Sequence, residues 1–182
     1  MSRVPLIDPR NTTPGRREPL DQITAAFGLT PNMFRAVANS PAALTSMWGA
    51  FAALGGGVIP PELGEKIAVA IADHNRCEYC LAAHTLLGTR AGATAQQMTD
   101  AQAGRSDDPA TAAALTFALK LVRQRAHLTP GDIDELRTAG FDDEQIVEII
   151  AHTALNLFTN YINVALQVPL DFPGIRLTPV AA

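Results

Sequence analysis

Residues 65–84 read EKIAVAIADHNRCEYCLAAH. In the first half Ile67, Ile71 and Ala72 recur at helical steps. In the second half Cys77, Cys80 and His84, three and four residues apart, would share one narrow helix face. Outward from this stretch apolar residues keep recurring every three to four positions, and two-residue alternation is rare, so the expected class is all-α. Helices are expected near residues 20–27, 31–39, 41–54, 61–75, 77–91, 94–103, 109–126, 130–139 and 143–166. Ser40-Pro41, Asp108-Pro109 and Thr129-Pro130 each put a side-chain acceptor at the N-cap and proline in the first turn, where its missing N–H costs nothing. Thr94 with Gln97, and Asp142 with Gln145, have capping-box spacing, and Gly92, Gly104 and Gly140 stand where helices should stop.

The 182 residues suit one domain, and 47% apolar content fills a core without disulfides or structural metal. Pro5, Pro9, Pro14 and Pro19 make residues 1–20 an expected extended arm. Residues 21–167 form the helical domain, and residues 168–182, with three prolines, are an extended tail expected to pack as an arm. A net charge of −4 argues against nucleic acid, and no apolar run reaches the length of a membrane span, so a soluble cytoplasmic protein is expected. Glu65-x-Ile67-x-x-x-Ile71-Ala72 returns weakly as Glu144-x-Ile146-x-x-x-Ile150-Ala151. That would make two similar helical hairpins, the second carrying Asn156, Thr159 and Asn163 where the first carries Cys77, Cys80 and His84, with chemistry in the first only.

On a helix starting near Cys77 the two thiols can be brought to disulfide distance, and a helix N-terminus lowers thiol pKa, which favours a nucleophilic cysteine. Competing readings of the same residues are a pair of inert buried cysteines, a zinc site with Glu65 as fourth ligand, a core histidine at His84 and a solvated acid at Glu65. No Gly-rich dinucleotide fingerprint is present, so bound NAD or FAD is not expected, and with all three close ligands on one short helix face and no second Cys or His pair to complete the site, no metal is expected.

A Glu twelve residues before a Cys-x-x-Cys, whose first Cys is followed seven residues on by His, resembles the pattern of the AhpD-like alkylhydroperoxidases in the carboxymuconolactone decarboxylase superfamily. Glu65, Cys77, Cys80 and His84 meet every spacing. CEYCLAAHTLLGTRAGAT (77–94) resembles the family core, and NYINVALQVPLDFP (160–173) its peroxidase-related branch; the likeness spans about residues 30–173. The resemblance implies an AhpD-like helical bundle, assembled as trimers or hexamers, that reduces hydroperoxides through a cysteine pair. Cys80 would attack, Cys77 would resolve, and Glu65 and His84 would relay protons through a neutral imidazole linked to a carboxylate. An external dithiol, a lipoyl-bearing protein in the family type, would then reset the pair. Tyr79 departs from the histidine usual just before the second cysteine, leaving it a modulator. A cofactor-free lyase like the lactone decarboxylases and a non-enzymatic dithiol sensor are the rival expectations.

Overall fold

Proline and side-chain caps set most helix starts. The computed structural model describes residues 2–179, and among them the chain forms nine helices and no strand: α1 Pro14–Phe27, α2 Asn32–Val37, α3 Pro41–Leu54, α4 Pro61–His74, α5 Glu78–Arg90, α6 Ala95–Gln102, α7 Pro109–Arg123, α8 Pro130–Thr138 and α9 Asp143–Leu166. Ser40 accepts from the Ala43 N–H and Asp108 from the Thr111 N–H, while Thr94/Gln97 and Asp142/Gln145 close full capping boxes. Thr129 differs from expectation: its hydroxyl and N–H both donate to the Asp132 carboxylate. Gly92, Gly104 and Gly140 take the positive φ that ends a helix.

Two expected boundaries need correction. The extended arm stops at Thr13, because α1 starts at Pro14 and carries Pro19 inside it. A proline within a helix costs about 3 kcal/mol. Leu20 and Ile23 are fully buried by the same helix, and burying two such side chains is worth roughly 1.5–3 kcal/mol each. Tertiary burial therefore overrides the local signal. The helix expected to reach residue 126 ends at Arg123, where Arg125 and Ala126 turn to φ 52° and 61°.

Helix α4 is the central element. It packs against α5, α6, α7 and α9, and every residue from Lys66 to Ala72 is buried. The expected sequence echo falls on α4 and α9, which touch each other. Only the first copy is a hairpin, since Arg76 at φ 57° breaks the chain between α4 and α5 whereas α9 continues for 24 residues. The C-terminal tail does pack as an arm. Thr178 N–H donates to Asp73 at 2.8 Å, and the Arg76 and Gln102 side chains donate to the carbonyls of Thr178 and Arg176. The N-terminal arm is tied by Arg3 N–H to Leu166 O and Ile7 N–H to Arg35 O. No helix among the described residues is long and apolar enough to cross a membrane.

Candidate active site

The break at Arg76 makes Cys77 the N-cap of α5, and its sulfur accepts from the Cys80 N–H at 3.3 Å. One turn in, Cys80 meets the Cys77 thiol, which donates to it at 2.7 Å; both residues are free cysteines and almost fully buried. A further turn along, His84 Nδ1 lies 2.7 Å from Glu65 Oε2 on α4. The structure thus brings Cys77, Cys80, His84 and Glu65 together. No group of three or more His, Cys, Asp or Glu among the described residues has metal-binding geometry.

Gly88 permits the close approach of α4 and α5. A Cβ there would stand 3.2 Å from Glu65 Cβ and 2.5 Å from the end of Met98, so a larger residue would push Glu65 away from His84.

Electrostatics divides the two thiols. Burial alone would raise the Cys80 pKa, but the Cys77 thiol hydrogen bond, the neighbouring His84 charge, and hydrogen bonds from Asn163 and Thr159 outweigh it and bring Cys80 down to about 7. The Cys77 thiol is pushed up, first because it donates to Cys80 and then by burial. For His84, burial lowers the pKa, but the Glu65 carboxylate and the nearby Cys80 sulfur more than reverse this, so the imidazolium is favoured. Against the expected neutral imidazole, His84 is drawn toward its charged form and Cys80 toward thiolate, with Glu65 paired to His84.

Tyr79 does not join this row. Its hydroxyl donates to Asp171 at 2.5 Å and accepts from Met33 N–H at 3.3 Å, and Phe172 meets its ring edge-on with centroids 6.0 Å apart. It anchors the tail instead.

An apolar cavity of about 180 Å³ opens on Cys80 and His84, walled by Phe27, Phe34, Phe51 and Phe172. Behind the Glu65–His84 pair lies a second hollow of about 150 Å³, into which His152 faces. His152 Nε2 and Asn156 Oδ1 are buried without partners, and burial holds His152 toward its neutral form.

Sequence reading missed three contributors. Asn163 on α9 donates to the Cys80 sulfur at 3.2 Å, Thr159 lies beside it, and Asp171 closes the far wall. The 79-residue echo carried a signal, since Asn163 and Thr159 are the positions matching His84 and Cys80; the second copy supports the chemistry of the first.

Residues 38–124 match the carboxymuconolactone decarboxylase family. A peroxidase-related protein described as an alkylhydroperoxidase AhpD core, from Ralstonia eutropha JMP134, is 25% identical, covering 93% of this chain and 92% of its own, with a TM-score of 0.83. A peroxidase-related protein from Silicibacter sp. TM1040 is 24% identical over 92% of this chain and 91% of its own, at TM-score 0.80. A cysteine-to-alanine variant of the debrominase Bmp8 in complex with 2,3,4-tribromopyrrole is 25% identical over 94% of each chain, at TM-score 0.78. No functionally curated protein is significantly similar in sequence. The helical bundle, the Glu–Cys–Cys–His spacing and these matches agree: residues 38–124 carry the carboxymuconolactone decarboxylase family's pattern, within a helical bundle similar to the AhpD core.

Proposed function

We propose that the protein is a thiol-dependent peroxidase that reduces apolar hydroperoxides through the Cys77/Cys80 pair. The observation that carries this reading is the placing of the lower-pKa sulfur, Cys80, at an apolar cavity beside a His84 whose pairing with Glu65 favours the imidazolium. The Cys80 thiolate attacks the terminal peroxide oxygen and the O–O bond breaks. The departing alkoxide takes the proton of the His84 imidazolium and leaves as an alcohol, while Cys80 becomes a sulfenic acid. Cys77, already in contact, then attacks the Cys80 sulfur. The hydroxyl leaves with the Cys77 proton as water, and a disulfide forms. Reduction by an external dithiol restores one thiol and one thiolate–imidazolium pair. The intact cysteine pair, with Cys80 at the cavity, favours this over the lyase expectation.

A second reading is supported by the aromatic walls and by the likeness to a debrominase. In it the Cys80 thiolate takes bromine from an activated ring, a proton replaces it on carbon, and Cys77 displaces bromide to give the same disulfide. One assay separates these readings. Reduced protein is mixed with cumene hydroperoxide, hydrogen peroxide or a brominated pyrrole, and turnover is followed with dithiothreitol. Steady turnover fastest with cumene hydroperoxide is expected; turnover of the brominated ring alone would select the second reading, and a single oxidation without turnover would leave a dithiol sensor.

A further inference from the structure

The two cysteines border different hollows. The apolar cavity touches Cys80 and not Cys77, whereas a wider surface groove of about 400 Å³, with polar and apolar lining in near balance, touches Cys77 and not Cys80. The hollows share Tyr79 and Asn163, which form the partition between them. The groove runs between the start of α5 and the junction of α9 with the tail. Arg76 and Glu78 lie on one bank, Val164, Pro169 and Leu170 on the other.

We propose that the cysteine pair has two entrances, and that this groove is the binding site of the external thiol reductant, which attacks Cys77 while the oxidising substrate reaches Cys80 through the apolar cavity. Thiol–disulfide exchange is an in-line displacement, so an attacking thiolate must approach one sulfur from the side away from the other. Cys77 is the cysteine that borders the groove, so it is the sulfur attacked from there and Cys80 is the leaving group. The chemistry of the pair points the same way, because the sulfur that holds a thiolate more easily departs faster, and here that sulfur is Cys80. The reductant is the external dithiol that the proposed turnover requires. Its first thiolate bonds to Cys77 as the Cys77–Cys80 bond breaks and Cys80 leaves as a thiolate. Its second thiol closes on the first donor sulfur, releasing Cys77, which takes a proton. The pair gains two electrons and the donor leaves as a disulfide.

This inference rests on the reading of Cys77 and Cys80 as a redox pair, and its test does not require peroxide. The native protein is oxidised with diamide, treated briefly with 2-mercaptoethanol and quenched with N-ethylmaleimide. Fragment masses then locate the adducts within residues 77–90. The expected product carries mercaptoethanol on Cys77 and maleimide on Cys80. In a second measurement Leu170→Trp, which narrows the groove, should slow reduction of the diamide-formed disulfide by dithiothreitol at least about tenfold more than it slows oxidation of the thiols by cumene hydroperoxide or diamide. A mixed disulfide chiefly on Cys80, or reduction indifferent to the narrowed groove, would overturn the proposal. The Cys77 adduct in a protein that turns over no hydroperoxide would uphold it while removing the peroxidase reading.

Discussion

Cys80 is the residue on which the chemistry turns, and its ionisation is the property most open to measurement. A thiol held at about 7 gains thiolate as pH rises through neutrality and loses it below. Alkylation of the reduced protein by iodoacetamide should therefore follow a single midpoint near 7, well below the ordinary thiol value of about 8.5. A midpoint at that ordinary value would refute the arrangement of donors around the sulfur. Asn163→Leu removes a donor 3.2 Å from the sulfur and keeps an apolar side chain in its place, so the midpoint should move up. His84→Phe should move it up too, and in addition slow peroxide attack by the roughly 10²–10⁴-fold expected when a general acid is lost. Cys77→Ser should leave one oxidation event and trap a Cys80 sulfenic acid that a dimedone reagent labels, whereas Cys80→Ser should react with no peroxide. Glu65→Gln weakens the hold on the imidazolium, so the falling, alkaline limb of the rate profile should shift to lower pH. A profile identical to that of the parent would show that Glu65 does not set the state of His84.

At the scale of elements, the α4–α5 hairpin fixes the geometry, and its fit depends on Gly88. Gly88→Val would press on Met98 and on Glu65 Cβ, which overpacking arguments value at about 1–3 kcal/mol. Thermal unfolding should report that loss, and the rate of peroxide attack should fall further than stability alone explains, since Glu65 is displaced. Activity kept intact in a destabilised Gly88→Val would mean that the hairpin tolerates the shift. This hairpin was legible in the sequence because its signals are local: three- and four-residue spacing and a cluster of chemically active side chains. The start of α1 was not, since four prolines outvoted Leu20 and Ile23, whose burial is a fact of tertiary packing. The roles of Asn163 and Asp171 were hidden for the same reason. An amide on α9 and a carboxylate in the tail acquire meaning only when α9 lies against α5 and the tail folds back over Tyr79. Asp171→Leu would take the acceptor from the Tyr79 hydroxyl, at about 1–3 kcal/mol for a buried group left unsatisfied, and would also release the exposed Asn32 N–H. Faster proteolysis within residues 168–179 should accompany it, with a higher KM for apolar hydroperoxides.

The whole molecule has a helix that is apolar on the wrong side. The inner face of α9 carries Thr153, Asn156, Thr159, Asn160 and Asn163, all buried, while Val147, Ile150, Ala154, Phe158, Tyr161 and Ala165 recur at three- and four-residue steps along its outer face. Val147 and Tyr161 are each 64% exposed. From Val147 to Ala165 the stripe runs about 27 Å, and a continuous apolar stripe of that length is uncommon on a monomer and usual where another subunit lies. The site lies on the opposite face of the same helix, through Asn163 and Thr159, so covering the stripe would also hold the donors to Cys80 in place. The expected state in solution is accordingly a homo-oligomer, a trimer or hexamer by resemblance, built on α9. Light scattering at micromolar concentration should give a multiple of the 19.3 kDa chain mass. Val147→Glu with Tyr161→Glu places two charges in the stripe without touching a buried residue, and should reduce the mass toward that of one chain. Loss of assembly should also raise the Cys80 alkylation midpoint, as α9 is freed to move. A parent protein that scatters as a single chain would refute the stripe as a subunit interface. A double variant of unchanged mass would place the interface elsewhere on the molecule.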